Sequence, residues 1–315
     1  MINKDYLYTN IYSDISDFRP LSNSTYIYAY SPEGRSHIVD DLRKLSPDVS
    51  YVELELVRDE KDVIIDKTSG NKYFLRSSNS IKDFFNTYKS DMVYIDVSGL
   101  NNRISASLLN NALKIDEERG LKIRVLYAEP SSYKIKQFTL EGVFNDLSEK
   151  IDGIEPLPGF ASIIPDPVDM IFIALLGFEG GRFTHLIENV QPPSDNITPV
   201  IGVPGFRIEY PFVALWGNRQ PLGETKSWNN IRYITANSLV DAYLLLSKIR
   251  KKSPDSKIVL APIGTKPHAI GAILFAIKYP KQVEIVYDNP KRKTTRTDGV
   301  GLIVECDINS LLAEN

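Results

Sequence analysis

Short apolar, β-rich runs alternate with stretches of helical period along nearly the whole chain, and this alternation limits its possible folds more than any other feature. Thr25 to Tyr30 reads as a strand, Ser31-Pro32-Glu33-Gly34-Arg35 as a polar turn, and Ile38, Leu42 and Leu45 as one face of a helix. Tyr51 to Val57 is a second strand. Val63 to Leu75, broken at Ser69-Gly70-Asn71, reads as an inserted hairpin with a Gly turn. Met92 to Val97 is apolar apart from Asp96 and runs through Ser98 to Arg103 into a helix with Ile104, Leu108, Leu109 and Leu113 on one side. Gly120 stops that helix before the strand Lys122 to Tyr127.

The rhythm breaks over residues 150–168, which carry Pro156, Pro158, Gly159, Pro165 and Pro167, and resumes with Met170 to Leu176. The loop Gly177 to Arg182, a helix from Phe183 and the strand Thr198 to Val203 follow. Pro204 to Trp228, rich in Gly, Pro and aromatics, is too long for an ordinary connection and is expected to be a lid or interface loop. Strands at Ile231 to Thr235, Lys257 to Ala261 and Val283 to Tyr287, with helices between them, complete the pattern. Such alternation favours a parallel sheet covered on both faces. The expected fold class is therefore α/β, with two Rossmann-like halves whose mostly parallel sheets are flanked by helices. Residues 1–154 form the N-terminal half with its inserted hairpin and residues 155–315 the C-terminal half, an arrangement compatible with a diverged duplication.

With 315 residues, 43% hydrophobic and 24% charged, the chain has the make-up of a folded protein long enough for two cores. Its 37 Lys and Arg against 40 Asp and Glu leave a formal charge of -3. That supplies no global field for a nucleic-acid backbone, so nucleic-acid binding is a minor expectation and any anion site must be local. The single Cys306 excludes an intrachain disulfide and multi-cysteine zinc patterns. His37, His185 and His268 are scattered, and neither a metal site nor a cofactor is expected. The longest apolar runs, Met170 to Phe178 and Ala269 to Ile277, reach about half the length of a bilayer-spanning helix. No membrane partner is expected, and a reducing, cytoplasmic setting fits.

In open α/β sheets, ligands collect beyond the carboxyl ends of strands, where loops meet the positive ends of helices. Four such loops carry a cation: Arg35, Arg103, Arg182 and Lys266. Arginine presents paired donors to phosphate or carboxylate, and glycines let backbone amides approach a ligand. Gly180, Gly181 and Arg182 are accordingly candidate ligand-binding residues, in a loop that is neither a Walker A motif nor the dinucleotide G-x-G-x-x-G. Glu179 is a candidate to accept from a ribose hydroxyl or to act as a base, and equally a partner for Arg182. Asp96, inside an apolar strand, is a second candidate carboxylate, with acceptance of a neighbouring loop's amides as the structural alternative. Lys291-Arg292-Lys293 with Arg296 is the most basic short segment and reads as a solvated turn.

A third candidate loop is Pro262-Ile263-Gly264-Thr265-Lys266-Pro267-His268, where an apolar strand enters a helix with small Ala269, Gly271 and Ala272. Gly264 permits the tight turn, and Thr265 can cap the helix or donate to an oxyanion. This stretch resembles the strand, Gly-Thr-Lys-Pro loop and small-residue helix of CARF domains, the Rossmann-like sensors of cyclic oligonucleotides in prokaryotic defence. The likeness covers about twenty residues. Ile263 stands where the usual Gly-Gly-Thr-Lys pattern has its first glycine, and His268 where methionine is common. The resemblance implies that Thr265 and Lys266 bind ligand and that the following strand, with Asp288, lies beside the site.

The function expected from these readings is ligand sensing. A nucleotide-like or other phosphorylated small molecule would bind at strand-end loops, and the output would pass to an effector protein or through a homo-oligomer or hetero-complex, as in an antiviral defence system. A phosphodiesterase or ring-nuclease-like enzyme, or a nucleotide-hydrolysing one, using the same pocket with Glu179 or Asp96 as acid or base, and a non-catalytic scaffold in a defence complex, are the alternatives.

Overall fold

The computed structural model describes residues 4–134, 147–160, 170–293 and 296–314. In chain order its elements begin α1 (Asp5–Tyr8), β1 (Thr9–Tyr12), β2 (Thr25–Tyr28), α2 (Val39–Leu45), β3 (Ser50–Leu56), β4 (Val63–Asp66) and β5 (Lys72–Phe74). Next come α3 (Ser78–Thr87), β6 (Met92–Asp96), α4 (Asn102–Arg119), β7 (Lys122–Ala128), β8 (Ser132–Tyr133), β9 (Ser148–Ile151) and β10 (Glu155–Pro156). Then follow β11 (Met170–Leu175), α5 (Gly180–Val190), β12 (Ile197–Gly202), α6 (Tyr210–Gly217), α7 (Arg219–Glu224), β13 (Arg232–Ile234) and α8 (Leu239–Lys252). The last are β14 (Lys257–Pro262), α9 (Lys266–Lys278), β15 (Val283–Tyr287), β16 (Pro290–Arg292), β17 (Thr297–Asp298), β18 (Ile303–Asp307) and α10 (Ile308–Glu314).

These elements form two compact units, Met1–Tyr133 with Thr297–Asn315, and Lys134–Arg296. This division differs from a single boundary between residues 154 and 155. The run after Gly301 becomes β18 and pairs antiparallel with β7 from Ile303↔Ala128 to Asp307↔Arg124, so the C-terminus returns to the first unit. Ser148–Ile151, expected in the first half, pairs as β9 with β16 in the second unit. Glu155–Pro156, within the proline-rich stretch, adds β10 to the edge of β15. Pro165 and Pro167 lie outside the described residues.

The first unit holds an eight-stranded sheet in the order β1-β18-β7-β6-β2-β3-β4-β5, with β7, β6, β2 and β3 parallel. Every residue of β2 and β6 is buried, as strands covered on both faces require. Tyrosines fill much of this core: Tyr26 and Tyr94 stack with ring centres 6.2 Å apart, and Tyr28 packs with Phe18, Val39 and Leu42. The inserted hairpin is present as β4 and β5 at the sheet edge. Its turn is held by Asp66, which accepts from the Thr68 and Ser69 amides at 2.8 and 3.2 Å, and by Gly70 at φ 76°. In α4, Asn101 accepts from the Ile104 amide at 2.9 Å at the start, and Gly120 takes the left-handed conformation at the end.

The second unit holds a six-stranded sheet in the order β10-β15-β14-β11-β12-β13. Its five parallel strands, counted as they appear in the chain, stand 3-2-1-4-5, with β10 antiparallel at one edge. Phe172, Phe183, Leu186, Ile201 and Val259 lie in its core. Pro204 to Trp228 is more ordered than a plain loop, since it contains α6, α7 and a 3-10 turn at Ser227–Asn230. No helix among the described residues is long and apolar enough to cross a membrane.

Close approach of backbone fixes one glycine in the first unit. A Cβ at Gly99 would lie 1.6 Å from the Ala29 carbonyl oxygen, whereas one at Gly34 would meet nothing within 4 Å. Gly99→Ala is expected to lower stability by about 3 kcal/mol or more, and Gly34→Ala to leave it unchanged or raise it by up to about 1 kcal/mol. Urea unfolding of the two variants beside the parent chain measures the contrast.

Candidate functional site

The strand orders determine where each sheet can take a ligand. In the second unit the chain leaves β11 for β12 on one side, while β14 lies on the other. The loops after β11 and β14 therefore flank a topological switch point, the place where open sheets bind ligands. In the first unit β2 lies between β3 and β6, and the loops after β2 and β6 hold the same relation. Arg35 follows β2, Arg103 lies in the first turn of α4 after β6, Arg182 in the first turn of α5 after β11, and Lys266 begins α9 after β14. The four cations thus stand two to a unit, at the switch point of each sheet.

Arg35, Arg182 and Arg103 are bonded inside their own unit. Arg35 is 1% exposed; its Nε and Nη2 reach the Glu33 carboxylate at 2.6 and 2.5 Å. Its Nη1 donates to the Tyr127 hydroxyl at 2.8 Å and the Ala128 carbonyl at 3.1 Å, and the guanidinium lies 5.2 Å from the Tyr127 ring centre. Arg182, 5% exposed, repeats this pattern. Its Nε and Nη2 donate to the two oxygens of Asp288 at 2.7 and 2.6 Å, and its Nη1 donates to the Ile263 carbonyl at 2.8 Å. The Tyr287 ring centre is 5.9 Å away. Burial opposes the charge on Arg182, yet the bonded Asp288 carboxylate holds its pKa above the ordinary arginine value. Arg103 donates through Nε to Asp62 at 3.1 Å. Burial pushes the Asp62 carboxyl up, but bonds from Arg103 and from Arg76 hold it below the usual carboxylate range. A ligand contact by Arg35, Arg103 or Arg182 would compete with these bonds, so each arginine ties strand ends together.

Glycines pack the loops of the second unit against one another. A Cβ at Gly264 would lie 2.5 Å from the Leu176 carbonyl oxygen, and one at Gly177 would lie 3.2 Å from the Gly264 Cα. At Gly180 it would meet the Gly217 carbonyl oxygen at 2.0 Å, but at Gly181 nothing within 4 Å. Asn218, fully buried, locks this junction by donating through Nδ2 to the Gly177 and Ala214 carbonyls, both at 2.8 Å. Nothing in the sequence beyond its place between two helices marks Asn218 for that role.

The Gly264–Lys266 loop is held in a similar way. Thr265 Oγ1 donates to the Ala236 carbonyl at 2.8 Å and accepts from the His268 amide at 3.4 Å, which caps α9. Lys266 is the first residue of that helix and is half-buried. His268 is wholly buried, with Nε2 2.9 Å from the Thr235 carbonyl oxygen. Burial pushes its pKa down to about 4, against lesser opposing effects of Thr235 and Asp241.

The two candidate carboxylates are also bonded internally. Asp96, 1% exposed, accepts from the Tyr26 hydroxyl at 3.0 Å and the Ser98 amide at 2.8 Å. Glu179 accepts from the Leu147 amide at 2.8 Å and stands 3.6 Å from Arg182. Glu179 nevertheless borders a cavity of about 590 Å³ at the start of α5, together with Gly180, Gly181 and Arg182. Ser148 and Glu149 of β9 form a second wall, His185 and Glu188 a third along α5, and Gln220 of α7 a fourth. Gly264 abuts this loop through Gly177, and Ile263 through its bond from Arg182, but Gly264, Thr265 and Lys266 do not line the cavity. Among the described residues no group of three or more His, Cys, Asp or Glu is arranged to hold a metal ion.

Fold and site together define an open-sheet α/β protein of two doubly wound units, with a cavity at the first crossover of the second. No protein-family model matches the chain, and no curated protein matches it. It is similar to the crystal structure of a GDP-L-fucose synthetase from Naegleria fowleri, at 10% identity over 94% of this chain and 78% of that one, with a TM-score of 0.22. It is also similar to UDP-GlcNAc 2-epimerase from Neisseria meningitidis bound to UDP-GlcNAc, at 13% identity over 84% of this chain and 71% of that one, with a TM-score of 0.18. Scores this low carry no argument about ligand or activity, which rest on the chain's own residues.

Two measurements check this description. Arg182→Met leaves Asp288 buried without its partner and is expected to cost about 3–5 kcal/mol of stability, most of it regained in the Arg182→Met, Asp288→Leu double variant. His268 is neutral when folded down to about pH 4, but an unfolded histidine takes up a proton below about pH 6.5. Because the unfolded chain then binds more protons, stability falls as pH drops from 6.5 to 4, with a slope of up to about 1.4 kcal/mol per pH unit from this residue. Urea midpoints across that range should flatten in His268→Gln.

Proposed function

We propose that this chain is a ligand sensor whose Lys134–Arg296 unit takes a nucleotide-like, phosphate-bearing small molecule at the start of α5. The observation that carries the reading is the cavity of about 590 Å³ opening on Gly180 and Gly181, at a helix start without a side-chain cap and at the first crossover of a 3-2-1-4-5 sheet. Amides of a first helical turn have no intrahelical acceptor and carry partial positive charge, which suits a phosphate. The volume falls in the range of about 300–1,000 Å³ common for small-molecule sites. The backbone amides of Gly180 and Gly181 supply the phosphate contacts.

Sensing is favoured over turnover because Asp96 and Glu179 are already bonded to protein donors. The CARF-like sequence at Gly264–Pro267 places cyclic oligonucleotides among the ligands to assay, with an effector protein or a second copy of the chain receiving the signal. Gly181→Asp tests the site, since a carboxylate there has open space and occupies the position proposed for the phosphate. Titration calorimetry with nucleotides and cyclic oligonucleotides is expected to show binding weakened by about tenfold or more. The melting temperature should hold or rise slightly, because an acid at a helix start contributes about 0.3–1 kcal/mol. Unchanged affinity in a folded Gly181→Asp chain would remove the assignment.

A further inference from the structure

Helix α6 is apolar on two opposite sides. Tyr210, Val213, Ala214 and Gly217 are buried, at the spacing of one helix face. One turn apart on the other side, Ile208, Phe212 and Trp216 are 89%, 66% and 42% exposed. Ile208 belongs to this ridge because the turn before the helix is already closed: the Tyr210 amide donates to the Arg207 carbonyl at 3.1 Å and the Val213 amide to the Glu209 carbonyl at 3.2 Å. A helix that is apolar all round is ordinarily covered all round. Single exposed hydrophobics are common, but a continuous ridge rimmed by charge marks an interaction surface.

The charges at the two ends of the ridge indicate what fits it. At the start, Arg207 and Glu209 pair at 3.3 Å, both half-exposed. At the far end the Arg219 guanidinium lies 4.3 Å from the Trp216 ring centre and donates to the Trp216 carbonyl at 2.8 Å, so it extends the ridge with a cation. A second α6 laid antiparallel against the first, with Phe212 on the two-fold axis, sets Ile208 against Trp216 and brings Arg219 to the Glu209 end. The Glu209 carboxylate can accept a second guanidinium beside Arg207. Surface and charge are thus complementary to themselves, which is the condition for a two-fold contact, and each favourable pair occurs twice. A bilayer fits less well, because Glu209 would be carried to its surface and the chain's formal charge of -3 is repelled by anionic headgroups.

We infer that the outer ridge of α6 is the surface on which a second copy of this chain docks, antiparallel about a two-fold axis at Phe212. This assignment stands whether or not the cavity takes a phosphate. Sedimentation equilibrium of the full chain is expected to give twice its 35.5 kDa. Phe212→Asp should raise the dimer Kd by at least about tenfold, with an unchanged circular dichroism spectrum because the side chain lies mostly outside the core. Glu209→Arg and Arg219→Glu should each weaken the dimer by about threefold or more, and the double variant, which restores opposite charges across the axis, should recover most of that loss. Misfolding would not reproduce such a recovery. A chain that stays monomeric at every concentration, or a dimer indifferent to Phe212→Asp, overturns the assignment. Failure of the charge-swapped double variant to recover overturns the antiparallel arrangement. A monomer that co-sediments with phosphatidylcholine–phosphatidylserine vesicles, and loses them in Phe212→Asp, assigns the ridge to a membrane surface and overturns the second copy.

Discussion

The buried ion pair between Arg182 and Asp288 is the constraint on which the site depends. Two charges out of water must satisfy each other's hydrogen-bonding capacity or the unit cannot form at reasonable cost. The side chain leaves the first helical turn after β11, donates to the Ile263 carbonyl at the end of β14, and reaches Asp288 just beyond β15. One guanidinium thereby joins three strand ends and holds the crossover at which Gly180 and Gly181 face the cavity. Arg182 has thus given its donors to the protein.

The first unit contains the same solution in different residues. Arg35 leaves the loop after β2, passes β6 and bonds Tyr127 and Ala128 at the end of β7. In both units the arginine crosses to the strand two places away and lies against a tyrosine there, Tyr127 or Tyr287. The carboxylate differs: Glu33 comes from two residues earlier in the chain, Asp288 from 106 residues later. Equivalent geometry built on equivalent strands is what a duplicated unit that has since diverged would retain.

Much of the architecture was legible in the sequence because strand and helix periods are local. The alternation from Thr25 to Tyr127, the hairpin around Gly70 and the four cation-bearing loops all stand where the period placed them. The pairing of Glu179 with Arg182 was also readable, being a matter of three residues. Long-range partners were not. Nothing near Arg182 announces Asp288, and nothing near Ile303 announces that β18 returns to β7. A cation in a strand-end loop looks the same in sequence whether it faces solvent, ligand or a buried carboxylate, and only burial separates these cases. Helices α6 and α7 were hidden for another reason: Pro, Gly and aromatic residues suggest a loop, whereas Tyr210, Val213, Ala214 and Leu222 bury enough apolar surface to order the segment.

The central claim is that structural arginines leave the ligand to the amides at the start of α5. Amide hydrogen exchange of the full chain with and without saturating AMP tests it directly. The account predicts slowed exchange at Gly180 to Arg182, with no change at the loop after β2 that carries Arg35. Slowed exchange around Arg35 and Arg103, with residues 180–182 unaffected, would contradict it.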